Sequence, residues 1–160
     1  MELDRTDLTI LAELQRDGRQ STVDLAKTIH LSPTPCANRI KRLQRDGLIS
    51  GFHAHLNPNA LGLNLLVFVQ VKLRATDEKT LDTFNRAMQT IPEVLECHMV
   101  GGGFDYLIKV RVRDMAHYRM FLAQVLGTQE SIENTHSYFV MQEVKETAML
   151  PLQPVLTARG

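Results

Sequence analysis

The 160-residue chain predicts an α+β protein in two parts, three short helices followed by a β-α-β-β-α-β run. Three observations carry this. Apolar residues recur at helical spacing through the first 45 positions, turn-forming residues cluster in "NPNALGLN" at 57–64, and strand-like alternation then takes turns with two helical stretches.

In the first helix Leu3, Leu8, Leu11 and Leu14 share a face, Asp4 sits at the N-cap position, and "RDGR" ends the element at Gly18. Ser21 with Asp24 starts a short second helix carrying Leu25, Ala26 and Ile29, and His30 and Leu31 form the turn after it. Ser32 then caps a third helix running to about Asp46 and ending at Gly47. Pro33 and Pro35 fall at its first and third positions, where an amide has no acceptor within the helix, so the prolines mark its start at little cost. Cys36, Ile40 and Leu43 face inward on this helix and leave Asn38, Arg39, Lys41, Arg42 and Arg45 outward.

"LISGFHAHLN" alternates as a short wing or linking strand, with Phe52, Ala54 and Leu56 on one side and His53 and His55 on the other. "LLVFVQVKL" predicts a strand, 77–91 a helix, "VLECHMV" a strand, "GGGF" a turn and "DYLIKVRV" a strand. "DMAHYRMFLAQVL" follows as a helix capped by Asp114 and "THSYFVMQEVK" as the last strand. The organisation is therefore a (winged) helix-turn-helix domain over 1–56, a hinge over 57–64, a ferredoxin-like βαββαβ sandwich over 65–147 and an unpatterned tail over 148–160.

Charge locates the function. Eighteen basic and eighteen acidic residues cancel, so any nucleic-acid binding must be local. Between Lys27 and Arg45 the chain carries five basic residues and no acid, and with no acid on the third helix before Asp46 its outer face reads as cationic. A solvated charged face is the competing explanation, but such faces ordinarily mix signs. A helix presented this way fits the major groove of double-stranded DNA, with early polar residues on base edges and flanking cations on phosphates. Ser32, Thr34 and Asn38 hold the early positions, and Arg39, Lys41, Arg42 and Arg45 are assigned mixed phosphate and guanine contacts.

Other chemistry is expected to be absent. Cys36 and Cys97 lie in no metal or disulfide pattern, the N-terminus lacks the apolar core of a leader, and "LGLNLLVFVQV" is interrupted by Asn64 and Gln70. These features predict a cytoplasmic protein with no membrane segment. His53 and His55 share a face, but two ligands do not make a metal site, and His98, His117 and His136 fall on separate elements. No nucleophile elbow, phosphate loop or dinucleotide fingerprint is present, so no enzyme, cofactor or metal is expected.

The segments "LDRTDLTILAELQRDGR", "LSPTPCANRIKRLQRDGLI", "LLVFVQV", "ECHMVGGGFDYLIKV" and "YFVMQEVK", in this order, give the chain a specific likeness. It resembles the Lrp/AsnC, or feast/famine, transcriptional regulators and is most like their leucine-responsive branch. The resemblance implies a DNA-reading head joined to a sandwich that forms homodimers, assembles them into a higher oligomer such as an octamer, and binds an amino-acid effector at a subunit junction. By position it nominates Gly101, Gly102, Gly103, Asp105 and Tyr106 in the "GGGFDY" loop, with Thr135 and Ser137 on the last strand. Such a loop can serve both ends of an amino acid, since glycine amides approach a carboxylate closely and Asp105 pairs with an ammonium; a plain hairpin turn is the competing reading. The chain departs from the family at Gly103, where an acid is frequent. The alternative function is an accessory protein or enzyme of amino-acid metabolism whose N-terminal helices mediate protein contact.

Overall fold

The computed structural model describes residues 3–152. The chain divides into two compact units, one built from the segment up to His55 together with the segment from Lys145 onward, the other from Leu56–Val144.

The first unit holds three helices, α1 (Arg5–Arg16), α2 (Thr22–Thr28) and α3 (Pro33–Arg45). Asp4 caps α1 in a reciprocal arrangement, its carboxylate accepting from the Asp7 amide at 2.8 Å while the Asp7 carboxylate accepts from the Asp4 amide at 3.2 Å. Ser21 caps α2. Between α2 and α3 His30 takes a left-handed conformation (φ 55°), and the Leu31 amide donates back to the Ala26 carbonyl. Glycine is the usual residue at such a position, so nothing local in the sequence signalled it. Ser32 occupies the cap of α3 without a side-chain cap bond. The proline spacing contributes to this: a capping hydroxyl bonds the second or third amide of a helix, and Pro35 removes the third. Ile10, Leu25, Ala26, Cys36 and Leu43 form the core of the unit.

Residues 48–56 form no strand, which corrects the expected wing or linking strand. The alternation is there, but a strand needs a ladder partner and these residues pair with no strand among the described residues. The tail, expected to be unpatterned over 148–160, returns to the first unit in its described part. The Gln15 amide clamps the backbone of Leu150 from both sides, donating to its carbonyl at 3.2 Å and accepting from its N–H at 2.6 Å. Residues 153–160 lie outside the described residues.

The segment 57–64 is a closed turn, with a single 3₁₀ turn at Asn59–Leu61 ended by left-handed Gly62. The sandwich comprises β1 (Leu65–Leu73), α4 (Glu78–Gln89), β2 (Val94–Met99), β3 (Tyr106–Val112), α5 (Met115–Phe121) with a π turn at Leu122–Leu126, and β4 (Ile132–Phe139). The antiparallel sheet has the order β2-β3-β1-β4, placing the two chain-internal crossovers on one face. The last strand covers 132–139 and not the expected 135–145. Val140 donates to Leu66 at the start of β1, and beyond that point β1 offers no further backbone to pair with.

Val67, Val69, Val71, Tyr106, Ile108 and Val110 point from the central strands toward Phe84, Met88, Tyr118 and Phe121 of the helices. Phe84 lies 4.5 Å from the Tyr106 ring centroid and is fully buried. Among the described residues no helix is long and apolar enough to cross a membrane. Phe84→Ala should destabilise the sandwich by roughly 3–5 kcal/mol, read as a lower urea midpoint; a loss below about 1 kcal/mol would contradict the packing described.

Candidate nucleic-acid interface and effector loop

On α3 the spacing i, i+4, i+7, i+11 lines up Thr34, Asn38, Lys41 and Arg45, and all four side chains are exposed. Ser32 is exposed at the front of the helix. Arg45 also pairs at 2.9 Å with its neighbour Asp46, an exposed contact of small energetic weight.

Arg39 and Arg42 lie on the adjacent stripe and are engaged elsewhere. Arg39 donates to Asp4 at 2.6 Å and Asp7 at 2.8 Å, and Arg42 donates to the second oxygen of Asp7. Asp7 is only 1 % exposed, so a buried carboxylate anchors an ion cluster whose arginines and Asp4 remain partly exposed. Arg42 Nε is buried without a hydrogen-bond partner. The expectation that these two arginines stand free for DNA is therefore corrected: the acids that pair with them sit on α1, more than thirty residues away in sequence. Partial burial pushes the Asp4 carboxyl up, but the Asp7 amide and the Arg39 guanidinium outweigh it and hold the group below the ordinary carboxylate value. Hydrogen bonds from Arg39 to Asp4 and Asp7 raise the guanidinium further.

The "GGGFDY" loop connects β2 to β3. Gly101, Gly102 and Gly103 are exposed, none has a positive φ, and a Cβ placed on any of them would meet nothing within 4 Å. The turn itself therefore has no steric need for three glycines. Asp105 anchors the loop to the central strand. Its carboxylate accepts from the Leu73 amide at 2.7 Å and from Lys72 Nζ at 3.0 Å, while its own amide donates to Val71.

Tyr106 corrects a second expectation, because its ring is buried against Phe84 and its hydroxyl donates to Asn85 Oδ1 at 2.8 Å. As the first residue of β3 it belongs to the inward-facing set, one step out of phase with Asp105. Thr135 and Ser137 also lie on this inward face, opposite Val71 and Val69, and Ser137 Oγ is 2.6 Å from the Tyr118 hydroxyl. The chain thus brings Tyr106, Val71 and Thr135 into one row across the sheet, near the end where Asp105 is tied. Sequence reasoning missed Lys72, whose ammonium already occupies one oxygen of Asp105, as well as Asp4 and Asp7. His53 and His55 are both exposed, and among the described residues no group of three or more His, Cys, Asp or Glu is placed to hold a metal.

A winged helix-turn-helix DNA-binding model matches residues 3–50, and the Lrp/AsnC ligand-binding domain matches residues 66–150. The chain belongs to the Lrp/AsnC family. It is 47 % identical over 152 residues to the leucine-responsive regulatory proteins of Salmonella typhimurium and Escherichia coli, covering 95 % of this chain and 93 % of each relative. Among solved structures it is similar to a transcriptional regulator of Neisseria meningitidis in complex with L-methionine, with a TM-score of 0.91 and 34 % identity over 96 % of this chain and 99 % of that one. An AsnC family regulator from Agrobacterium tumefaciens gives a TM-score of 0.90 at 35 % identity, over 95 % and 99 %. As an Lrp/AsnC member the chain is a DNA-binding transcriptional regulator with an amino-acid-binding domain, and not an enzyme; the metabolic alternative is set aside.

The Asp105 anchor has a pH signature. The Leu73 amide lowers the pKa of this carboxyl most, burial opposes it, and the bond and charge of Lys72 lower it further, so the folded value lies below the unfolded one. A depressed carboxylate contributes stability that is present above the unfolded value of about 4 and lost as pH falls through the folded one. Asp105→Ala should cost roughly 1–3 kcal/mol at neutral pH, since it leaves the Leu73 amide unpaired. Thermal melts from neutral to acid should show the gap between parent and variant closing below about pH 4; a gap independent of pH would refute the assignment.

Proposed function

We infer that the exposed stripe of α3 reads the major groove of duplex DNA, and that an apolar amino acid bound near the "GGGFDY" loop alters that reading through assembly. The observation that carries this is the exposed row Thr34, Asn38, Lys41 and Arg45 along the third helix of a helix-turn-helix head. Thr34 and Asn38 take base edges, while Lys41 and Arg45 take phosphate or guanine. Ser32, whose hydroxyl caps no amide, is placed for a phosphate at the helix start. Arg39 and Arg42 contact DNA only by leaving Asp4 and Asp7.

The effector reading is supported by three glycines that the turn does not require and by a carboxylate, Asp105, fixed beside them. Glycine amides approach the effector's carboxylate, and its ammonium competes with Lys72 for Asp105. Leucine and methionine are the effectors of choice, given relatives named for response to leucine and a solved regulator holding L-methionine. Tyr106, Thr135 and Ser137 act from beneath, by fixing the sheet row on which the loop rests. No cofactor beyond this effector is needed, and the protein works in the cytoplasm.

The sheet's second face, bearing Phe68, Gln70, Leu107 and Tyr138, is covered by no helix among the described residues and suits a second copy. Homodimers built this way present paired heads, and an octamer of them gains avidity and spans several sites. Effector and DNA then act on one assembly equilibrium, and each must shift the affinity for the other equally.

Lys41→Ala with Arg45→Ala should leave the fold intact and flatten the dependence of log K on log salt by about 0.9 per lost phosphate contact. An unchanged slope would remove α3 as the reading helix. Leucine or methionine at about a hundredfold excess over Kd should add about 2.7 kcal/mol to stability; melts unmoved by either would overturn the effector reading.

A further inference from the structure

The acidic start of α1 lies against the helix that reads DNA, and its two carboxylates occupy two of that helix's arginines. We propose that Asp4 is a specificity-determining residue: beside the bracing carboxylate of Asp7 it stands in for a phosphate, withholds Arg39 from the DNA backbone, and so lowers the sequence-independent attraction of α3. This inference rests on the reading of α3 as the DNA helix and adds a role for a residue that touches no DNA.

The chemistry favours a stand-in over simple bracing for one of the two acids. Guanidinium binds carboxylate and phosphate oxygens with the same planar donor geometry, so the two anions compete for the same nitrogens. Asp7 is 1 % exposed and cannot give up both arginines without leaving a buried carboxylate unpaired. Asp4 differs. Its side chain is 51 % exposed, it shares Arg39 Nη1 with Asp7, and releasing Arg39 returns it to water at little cost. Arg39 and Arg42 keep 29 % and 37 % of their side-chain surface accessible, so a phosphate can approach without the helices separating. Asp7 therefore fixes α3 on α1, and Asp4 sets how readily Arg39 reaches for DNA.

The expected gain is in discrimination. Contacts to phosphate add affinity to every sequence alike, whereas contacts to base edges separate operator from non-operator. A head that holds back Arg39 binds all DNA more weakly and leaves the choice of site to Thr34 and Asn38.

Asp4→Asn is the clean test, because asparagine serves as an N-cap as well as aspartate does and only the charge is lost. Binding of the full-length protein to a non-specific duplex and to an operator duplex selected from random sequence would be measured from about 50 to about 200 mM salt, with the fold checked by melting. The variant should bind the non-specific duplex several-fold more tightly, its log K against log salt should steepen by about 0.9, and the ratio of operator to non-specific affinity should fall. Adding Arg39→Gln to Asp4→Asn should cancel both gains. An unchanged slope in Asp4→Asn, or a gain that survives Arg39→Gln, would overturn the inference, the second outcome because Asp4 would then act only by repelling phosphate. If the parent shows no salt-dependent binding to either duplex, the reading of α3 falls first and takes this one with it.

Discussion

The ion cluster around Asp7 is the constraint on which the reading head depends. A carboxylate excluded from water is tolerable only when its charge is met and its lone pairs are filled, and Arg39, Arg42 and the Asp4 amide do both. Removing one partner of such a pair ordinarily costs about 3–5 kcal/mol, far more than an exposed pair contributes. The same residue closes the first turn of α1, so the start of one helix and the orientation of another are set by one carboxylate. The apolar core of Ile10, Leu25, Cys36 and Leu43 would hold α1 and α3 together without it. Apolar contact is not directional, however, and two fork-shaped guanidiniums on a single carboxylate are. Which stripe of α3 faces outward follows from that.

In the sandwich the equivalent role falls to Asp105. β3 and β1 are hydrogen-bonded along their length, and at their shared end Asp105 adds a side-chain bond to the Leu73 amide, so the loop between β2 and β3 is fixed to the strand in the middle of the sheet. A loop held at one end by a buried-type bond and made of glycine at the other has one rigid and one adaptable side. That division suits ligand capture, since charge is best placed on the rigid side and closure is best left to backbone that carries no side chain. Lys72 neutralises the Asp105 carboxylate at the rigid side.

Most of the fold was legible because its signals are local. Caps at Asp4, Ser21 and Asp114, prolines at the start of α3, left-handed Gly47 and the strict alternation of β1 and β3 each act within a few residues. What the sequence concealed depends on distant partners. Residues 48–56 alternate like a strand and pair with no strand among the described residues, and β4 stops at Phe139 because β1 begins at Leu65. The cationic face of α3 looked free because its own helix has no acid. Its neutralising acids come from α1, and their i, i+3 spacing reads as nothing more than a cap. Tyr106 was nominated by resemblance as part of the loop, whereas one step of strand phase beyond Asp105 turns its side chain into the core.

The division of the chain constrains how an effector signal can reach the head. The backbone passes between the two units twice, at His55 to Leu56 and again at Val144 to Lys145, after which the tail is held on α1 through Gln15. A single tether transmits position poorly, because a flexible connection absorbs whatever displacement enters it. Here the chain crosses twice, and the second crossing ends in a two-sided hydrogen-bond clamp within the first unit. The second crossing leads directly out of β4, the strand that carries Thr135 and Ser137, by way of the Arg111 to Glu143 ion pair on the sheet. The free energy that a ligand can deliver to any such linkage is limited to its own preference between the states it distinguishes.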